Sequence, residues 1–260
     1  METNENIARF DGDVMAALAG CVIDNRDIMR DFNRNSYLSS FKEYREKYKP
    51  LFAALEERYA ADGEAVKNNA VRAFMGGVAE HVAASSKPTS ALDQLRFVIA
   101  LYFVPMVRSL KLTVSEPFCL ALRDEWAKTY PKFEFKVGDY ETIVEGFNKK
   151  FLGLCFITTA VCEHSGKPDD CYELTAFRSF RDGYLASSEG GAALIDEYYE
   201  IAPAIVTCID LFAEKDAVYP MLREKYLAPC LDDIENDRLE DCKNRYIDMV
   251  HTLRHRYLGQ

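Results

Sequence analysis

"DVMAALAGCVIDNRDIMRDF", residues 13–32, decides the fold class, because its apolar positions keep to a single spacing. Val14, Leu18, Cys21, Val22, Ile28 and Phe32 recur at threes and fours, the interval at which side chains return to one face of an α-helix. The same period runs outward along the chain. "SFKEYREKYKPLFAALEERYA" (40–60) carries it through Pro50, which kinks or divides the helix. "EAVKNNAVRAFMGGVAEHVAA" (64–84) makes a third helix, weakened by Gly76 and Gly77. After the break "SSKPTS", an apolar helix runs from Ala91 to about Leu110 with Pro105 inside it, and Ser115-Glu116-Pro117 opens the next.

Only "PKFEFKVGDY" (131–140) alternates like a strand. A single strand has nothing to pair with, so an extended connector is expected, with Asp139 capping the helix that follows. A long helical region then continues toward Glu163. Asp170 and Glu173 form a capping signal for the next helix. A helix of roughly 192–213 carries Pro203, and the rest forms two or three helices broken near Pro229 and Asn236. The expectation is an all-α multi-helix bundle. It is either one large domain or two closely packed helical halves, 1–138 and 139–260.

Composition narrows the function classes. With 42 acidic and 32 basic residues the net charge is −10, the wrong sign for a surface that neutralises nucleic-acid phosphates. The basic patches Asn148-Lys149-Lys150 and His251 to Arg256 are short. The apolar run from Phe97 to Val107 is about half the roughly 20 residues that span a bilayer, so no membrane span is expected. The polar, acidic start reads as no signal peptide, and none of the eight cysteines forms a close CxxC pair. A cytoplasmic protein fits both features. No P-loop, dinucleotide fingerprint, GxSxG or HExxH occurs, and no motif calls for a cofactor.

The chemistry gathers in "LCFITTAVCEHSGKPDDCYELTAFRSFRD", residues 154–182. From Phe151 to Val161 nearly every position is apolar, the mark of a helix buried on all sides. Within it Cys155, Thr158, Thr159 and Cys162 fall at i, i+3, i+4 and i+7, one mildly polar stripe. Buried threonines bond back to a carbonyl one turn earlier, and buried cysteines pack as small hydrophobes. In the next helix Arg178 and Arg181 project into the apolar arc of Leu174, Phe177, Phe180, Tyr184 and Leu185. A guanidinium facing a core must be paired. Asp182 is placed to pair with Arg178, and Asp196 or Glu197 would complete an internal ion-pair network. Alternatively the arginine forks hold a carboxylate or phosphate. Arg178, Arg181, Asp182, Thr158, Thr159 and Cys171 are then the ligand-binding set.

Cys155-Phe156-Ile157 and Thr159-Ala160 resemble the box that names the bacterial CFI-box domain family. The similarity continues through Phe177-Arg178-Ser179-Phe180-Arg181-Asp182, Gly190, Tyr198-Tyr199 and Ala202-Pro203. It covers residues 155–210, about a fifth of the chain. Thr158 stands where the family usually has alanine, Val161-Cys162 replaces its common Ala-Tyr, and "EHSGKPDDC" is an insertion typical of a subset. The resemblance implies a small helical module appended to varied partners and implies no reaction.

Two further constellations stand out. Asp248, His251 and His255 share one helical face at a spacing that suits a metal, although a solvated face near the C-terminus has the same pattern. His164 follows Glu163 at a helix end, where it would pair with Cys155 or Cys162 as a base beside a thiol. Two functions follow. One is a cytoplasmic protein-interaction or small-ligand-binding module, its partner a protein or a small anionic molecule. The other is a thiol-dependent enzyme acting on an anionic small molecule through Cys155 or Cys162.

Overall fold

The structure is a computed structural model that describes residues 2–148, 155–212 and 215–259, with side chains from Asp13 onward. The fold is all-α, a multi-helix bundle with no strand among the described residues. The chain divides into two compact units: Met1–Asp31 with Tyr37–Ile143, and Phe32–Ser36 with Val144–Gln260.

The first unit contains α1 (Glu2–Ile23), a 3₁₀ turn (Arg26–Asp31), α2 (Tyr37–Tyr59), α3 (Gly63–Ala84) and α4 (Pro88–Val98). A π-turn (Ile99–Phe103), α5 (Val104–Ser109), α6 (Ser115–Thr129) and the start of α7 (Tyr140–Asn148) complete it. Helix α3 packs on α1, α2, α4 and α6. Gly77, a weak point in the sequence, is what lets α3 approach α1: a Cβ there would lie 2.5 Å from the Ala19 Cβ.

The apolar stretch is longer than its sequence core suggested. The run Pro88–Ser109 is long and apolar enough to cross a membrane, yet most of it is buried within the fold. It bulges into a π-turn just before Pro105, which has no N–H to give. The carbonyl that position 105 would serve in a regular α-helix belongs to Leu101, and the buried Tyr37 hydroxyl donates to it instead at 2.8 Å.

Residues 131–139 form the expected connector without pairing as a strand. The Trp126 indole N–H donates to the Phe133 carbonyl at 2.7 Å, and Asp139 Oδ1 accepts the Thr142 N–H at 2.8 Å to cap α7.

The second unit holds α8 (Phe156–His164), α9 (Tyr172–Phe180) with a π-turn (Arg181–Leu185), and α10 (Gly191–Leu211). It continues with α11 (Lys215–Leu222), a second π-turn (Arg223–Leu227), α12 (Ala228–Glu235) and α13 (Leu239–Leu258). Helix α10 packs on α8, α11 and α13, while α12 joins α9 to α13. Arg34 N–H donates to the Glu200 carbonyl at 3.2 Å, and Phe32 meets Phe147 edge-on, fastening residues 32–36 to this unit. The buried Asp233 carboxylate accepts from Arg238 at 3.0 Å and Arg245 at 3.1 Å, tying α12 to α13. The long helix expected to lead into Cys155 cannot be followed: Lys149, Lys150 and the apolar residues 151–154 lie outside the described residues.

Candidate functional site

Helix α8 begins at Cys155, which occupies its N-cap with no side-chain cap hydrogen bond. Cys155, Thr158, Thr159 and Cys162 are all buried, but they do not act as one stripe. The Thr158 hydroxyl lies 3.2 Å from the Tyr246 hydroxyl on α13. The Tyr246 hydroxyl in turn donates to Tyr198 on α10 at 3.2 Å, and Tyr198 also accepts the Ile157 N–H at 2.9 Å. This is a buried polar chain across three helices. The Thr159 hydroxyl, wholly buried, has no hydrogen-bond partner among the described residues.

Arg181 begins the π-turn after α9 and is largely buried, its side chain 14% exposed. Its Nε and Nη2 donate to the two carboxylate oxygens of Asp182 at 2.6 and 2.8 Å, and Nη1 points at the Cys155 sulfur at 3.7 Å. Asp182 therefore serves Arg181 rather than Arg178, a correction to the helical phasing read from the sequence. The same contact holds the Asp182 carboxyl below its ordinary range and keeps the Arg181 guanidinium charged.

Arg178 turns the other way. Its Nη1 donates to the Asp169 carbonyl at 2.7 Å and Nη2 to Asp169 Oδ1 at 2.6 Å, pinning the 165–171 loop. The capping pair expected from Asp170 and Glu173 does not form. Cys171 holds the cap position of α9, and Glu173 takes Lys167 as its partner. Cys171 is half-buried and touches Cys162. Glu197 pairs with Arg254, and Asp196 is exposed.

Both sequence-nominated thiols are poor nucleophiles at neutral pH. Burial pushes the Cys155 thiol up to about 11 against the opposing pull of Arg181 and Arg178. Burial and the neighbouring Cys171 push Cys162 up to about 12. His164 reaches neither. Its Nε2 lies 3.7 Å from Asp216 and its ring packs beside Tyr219. Asp248, His251 and His255 are all exposed on α13. Among the described residues no group of three His, Cys, Asp or Glu side chains could hold a metal ion.

Cys155, Arg181, Tyr198 and Tyr246 share one cavity of ≈ 70 Å³. Phe177, Phe180, Leu185, Leu194, Ile195, Ile247 and Val250 form its apolar wall, and Glu197, Lys243 and His251 complete the lining. Gly191 shapes this wall. A Cβ there would fall 1.8 Å from the Leu185 carbonyl oxygen, so α10 starts directly against the π-turn that carries Leu185. A second cavity of ≈ 170 Å³ takes Phe156, Ala160 and Glu163 of α8 with Asp210 and Tyr219.

The sequence reading assigned no role to Tyr198 or Tyr246. The signal for Tyr246 was present: Tyr246, Val250, Leu253 and Tyr257 repeat at i, i+4, i+7 and i+11, the core stripe of an amphipathic helix. Tyr198 sits within the CFI-box-like match, where its neighbour Tyr199 is equally aromatic and only the fold distinguishes them. No family model, curated protein or solved structure matches the chain.

Proposed function

We propose that the chain is a small-ligand-binding module whose site is the cavity beside Cys155. The segment 155–210, resembling the CFI-box domain, supplies Cys155, Arg181 and Tyr198 to it. One observation carries the reading: apolar side chains from α9, α10 and α13 converge on a concavity whose charged neighbours already have partners. Convergent apolar walls with a few placed polar groups are the usual form of a ligand site. Large apolar side chains exposed elsewhere are few and scattered, Leu38, Tyr172 and Met221 among the described residues, which favours a small molecule over a broad protein interface. The anionic ligand suggested by the sequence finds both arginine forks occupied by Asp169 and Asp182, so the favoured ligand is uncharged. The thiol-enzyme reading is weakened by the raised cysteines and keeps only the Arg181–Cys155 contact in its favour.

The test is a titration with millimolar isobutene followed by amide NMR. Saturable shifts should cluster on the cavity residues of α9, α10 and α13, and Ile247→Trp, which fills the cavity, should remove them. Shifts that never saturate, or that persist in Ile247→Trp, would remove the basis for the reading.

A further inference from the structure

As its contacts run, the buried hydroxyl chain leaves one proton without an acceptor. A hydroxyl offers one proton and two lone pairs. Tyr198 Oη accepts from Ile157 N–H and from the Tyr246 hydroxyl. Having given its proton to Tyr198, Tyr246 must accept in its 3.2 Å contact with Thr158. Every proton of the chain then has an acceptor except that of Tyr198, whose own lone pairs are both engaged. A buried donor without an acceptor is costly.

The surroundings of Tyr198 offer little to accept it. The cavity wall is largely hydrocarbon. The sulfur of Cys155 faces Arg181, and Glu197 is engaged by Arg254. Charge in the lining is balanced as well: Arg181 by Asp182, Lys243 by Glu240 at 3.4 Å. A bound anion or cation would meet no uncompensated partner there. Size sets the last limit. A cavity of ≈ 70 Å³ is about half the roughly 150 Å³ that takes a benzene ring, so it admits a few carbon atoms, with any larger remainder outside.

We infer that the cavity takes the short aliphatic end of a neutral carbonyl compound, a ketone, ester or amide, whose oxygen accepts the Tyr198 proton. This rests on the ligand-binding reading above and names its ligand class.

Acetone and isobutene have the same shape and differ by the acceptor alone; they serve as the matched probes, with acetate as the anionic control, all followed by NMR titration. In the parent protein acetone should bind roughly tenfold or more tighter than isobutene, a ratio equal to about 1.4 kcal/mol. Tyr198→Phe keeps the ring, removes the donor and should abolish the preference. Because Tyr198→Phe also strands the Ile157 N–H, a second readout uses the parent alone: the carbonyl stretch of bound acetone should move to lower frequency than in hydrocarbon solvent.

Equal binding of the two probes, a preference that survives in folded Tyr198→Phe, or an unshifted carbonyl stretch would overturn the inference. The ligand-binding reading would still stand if Ile247→Trp blocked both probes. Acetate binding tighter than acetone would overturn the neutral ligand class and return the site to Arg181. Failure of every probe to bind overturns the ligand-binding reading, and the inference with it.

Discussion

The Nη1 of Arg181 lies 3.7 Å from the Cys155 sulfur, a cation set against a thiol that is nevertheless not activated. Burial outweighs the charge, and the Cys155 thiol stands at about 11. A guanidinium whose Nε and Nη2 are held by Asp182 stabilises a thiolate less than a bare one would, because the carboxylate screens it. The contact therefore reads as packing with a polar edge.

Alkylation of the folded protein checks this. At neutral pH iodoacetamide should modify the half-buried Cys171 first, as access demands, with the buried Cys155 and Cys162 protected until the chain opens. The Cys155 rate should climb only toward pH 11. In Arg181→Met the nearby positive charge is gone, so the rise should move to still higher pH. Modification of Cys155 at pH 7 at the rate of a free thiol would show that it is activated after all.

Gly191 should be the least replaceable residue around the cavity. A Cβ 1.8 Å from the Leu185 carbonyl and 2.6 Å from the Ser188 hydroxyl oxygen cannot be accommodated without moving backbone. Gly191→Ala is expected to cost about 3 kcal/mol or more, in the range of mutations that force a rearrangement, and to displace Leu185 from the cavity wall. Its neighbour is the control. Gly190 has φ +70° and open space around its Cα, so Gly190→Ala carries only the left-handed penalty of about 1–2 kcal/mol. Urea denaturation of both variants should separate them; equal midpoints would mean that the close approach relaxes freely.

Tyr37→Phe tests how the fold tolerates proline inside a buried helix. The Tyr37 hydroxyl serves the Leu101 carbonyl opposite Pro105, and its removal leaves a buried acceptor unserved. The expected loss is about 1–3 kcal/mol, measured by thermal or urea unfolding, with little change in circular dichroism. A loss near zero would show that water or a helical N–H takes over the carbonyl.

How much of this was legible follows from the range of the interactions. The helices could be read because apolar spacing at threes and fours is a local property. Pro105 was read inside its helix, but the π-turn before it depends on buried neighbours. Asp139 was read as a cap because a cap is set within three residues. Asp182 was assigned to Arg178 by ideal helix geometry, which the π-turn Arg181–Leu185 breaks by adding a residue to the turn. Tyr198 and Tyr246 became site residues only through a contact that joins positions 48 apart, which no periodicity encodes.

The acid limit of stability should be set in part by Asp233. Its side chain is 5% exposed and bridges two arginines that are each about 40% exposed. Burial alone would raise its carboxyl, but hydrogen bonds from Arg245 and Arg238 outweigh burial and hold it below the ordinary value. In the unfolded chain an aspartate titrates near 3.9. The depressed folded value means that the stabilisation is fully present above that pH. It is lost as pH falls through the folded pKa, because the unfolded chain takes up the proton first. Asp233→Asn removes the charge at every pH. With both arginines free to rehydrate, the cost near neutrality should fall below the 3–5 kcal/mol of a fully buried broken pair, at about 1–3 kcal/mol. The loss of stability between pH 5 and pH 2 should also be shallower in the variant than in the parent. Urea midpoints measured across that range decide it: parallel curves would show that Asp233 carries none of the acid sensitivity.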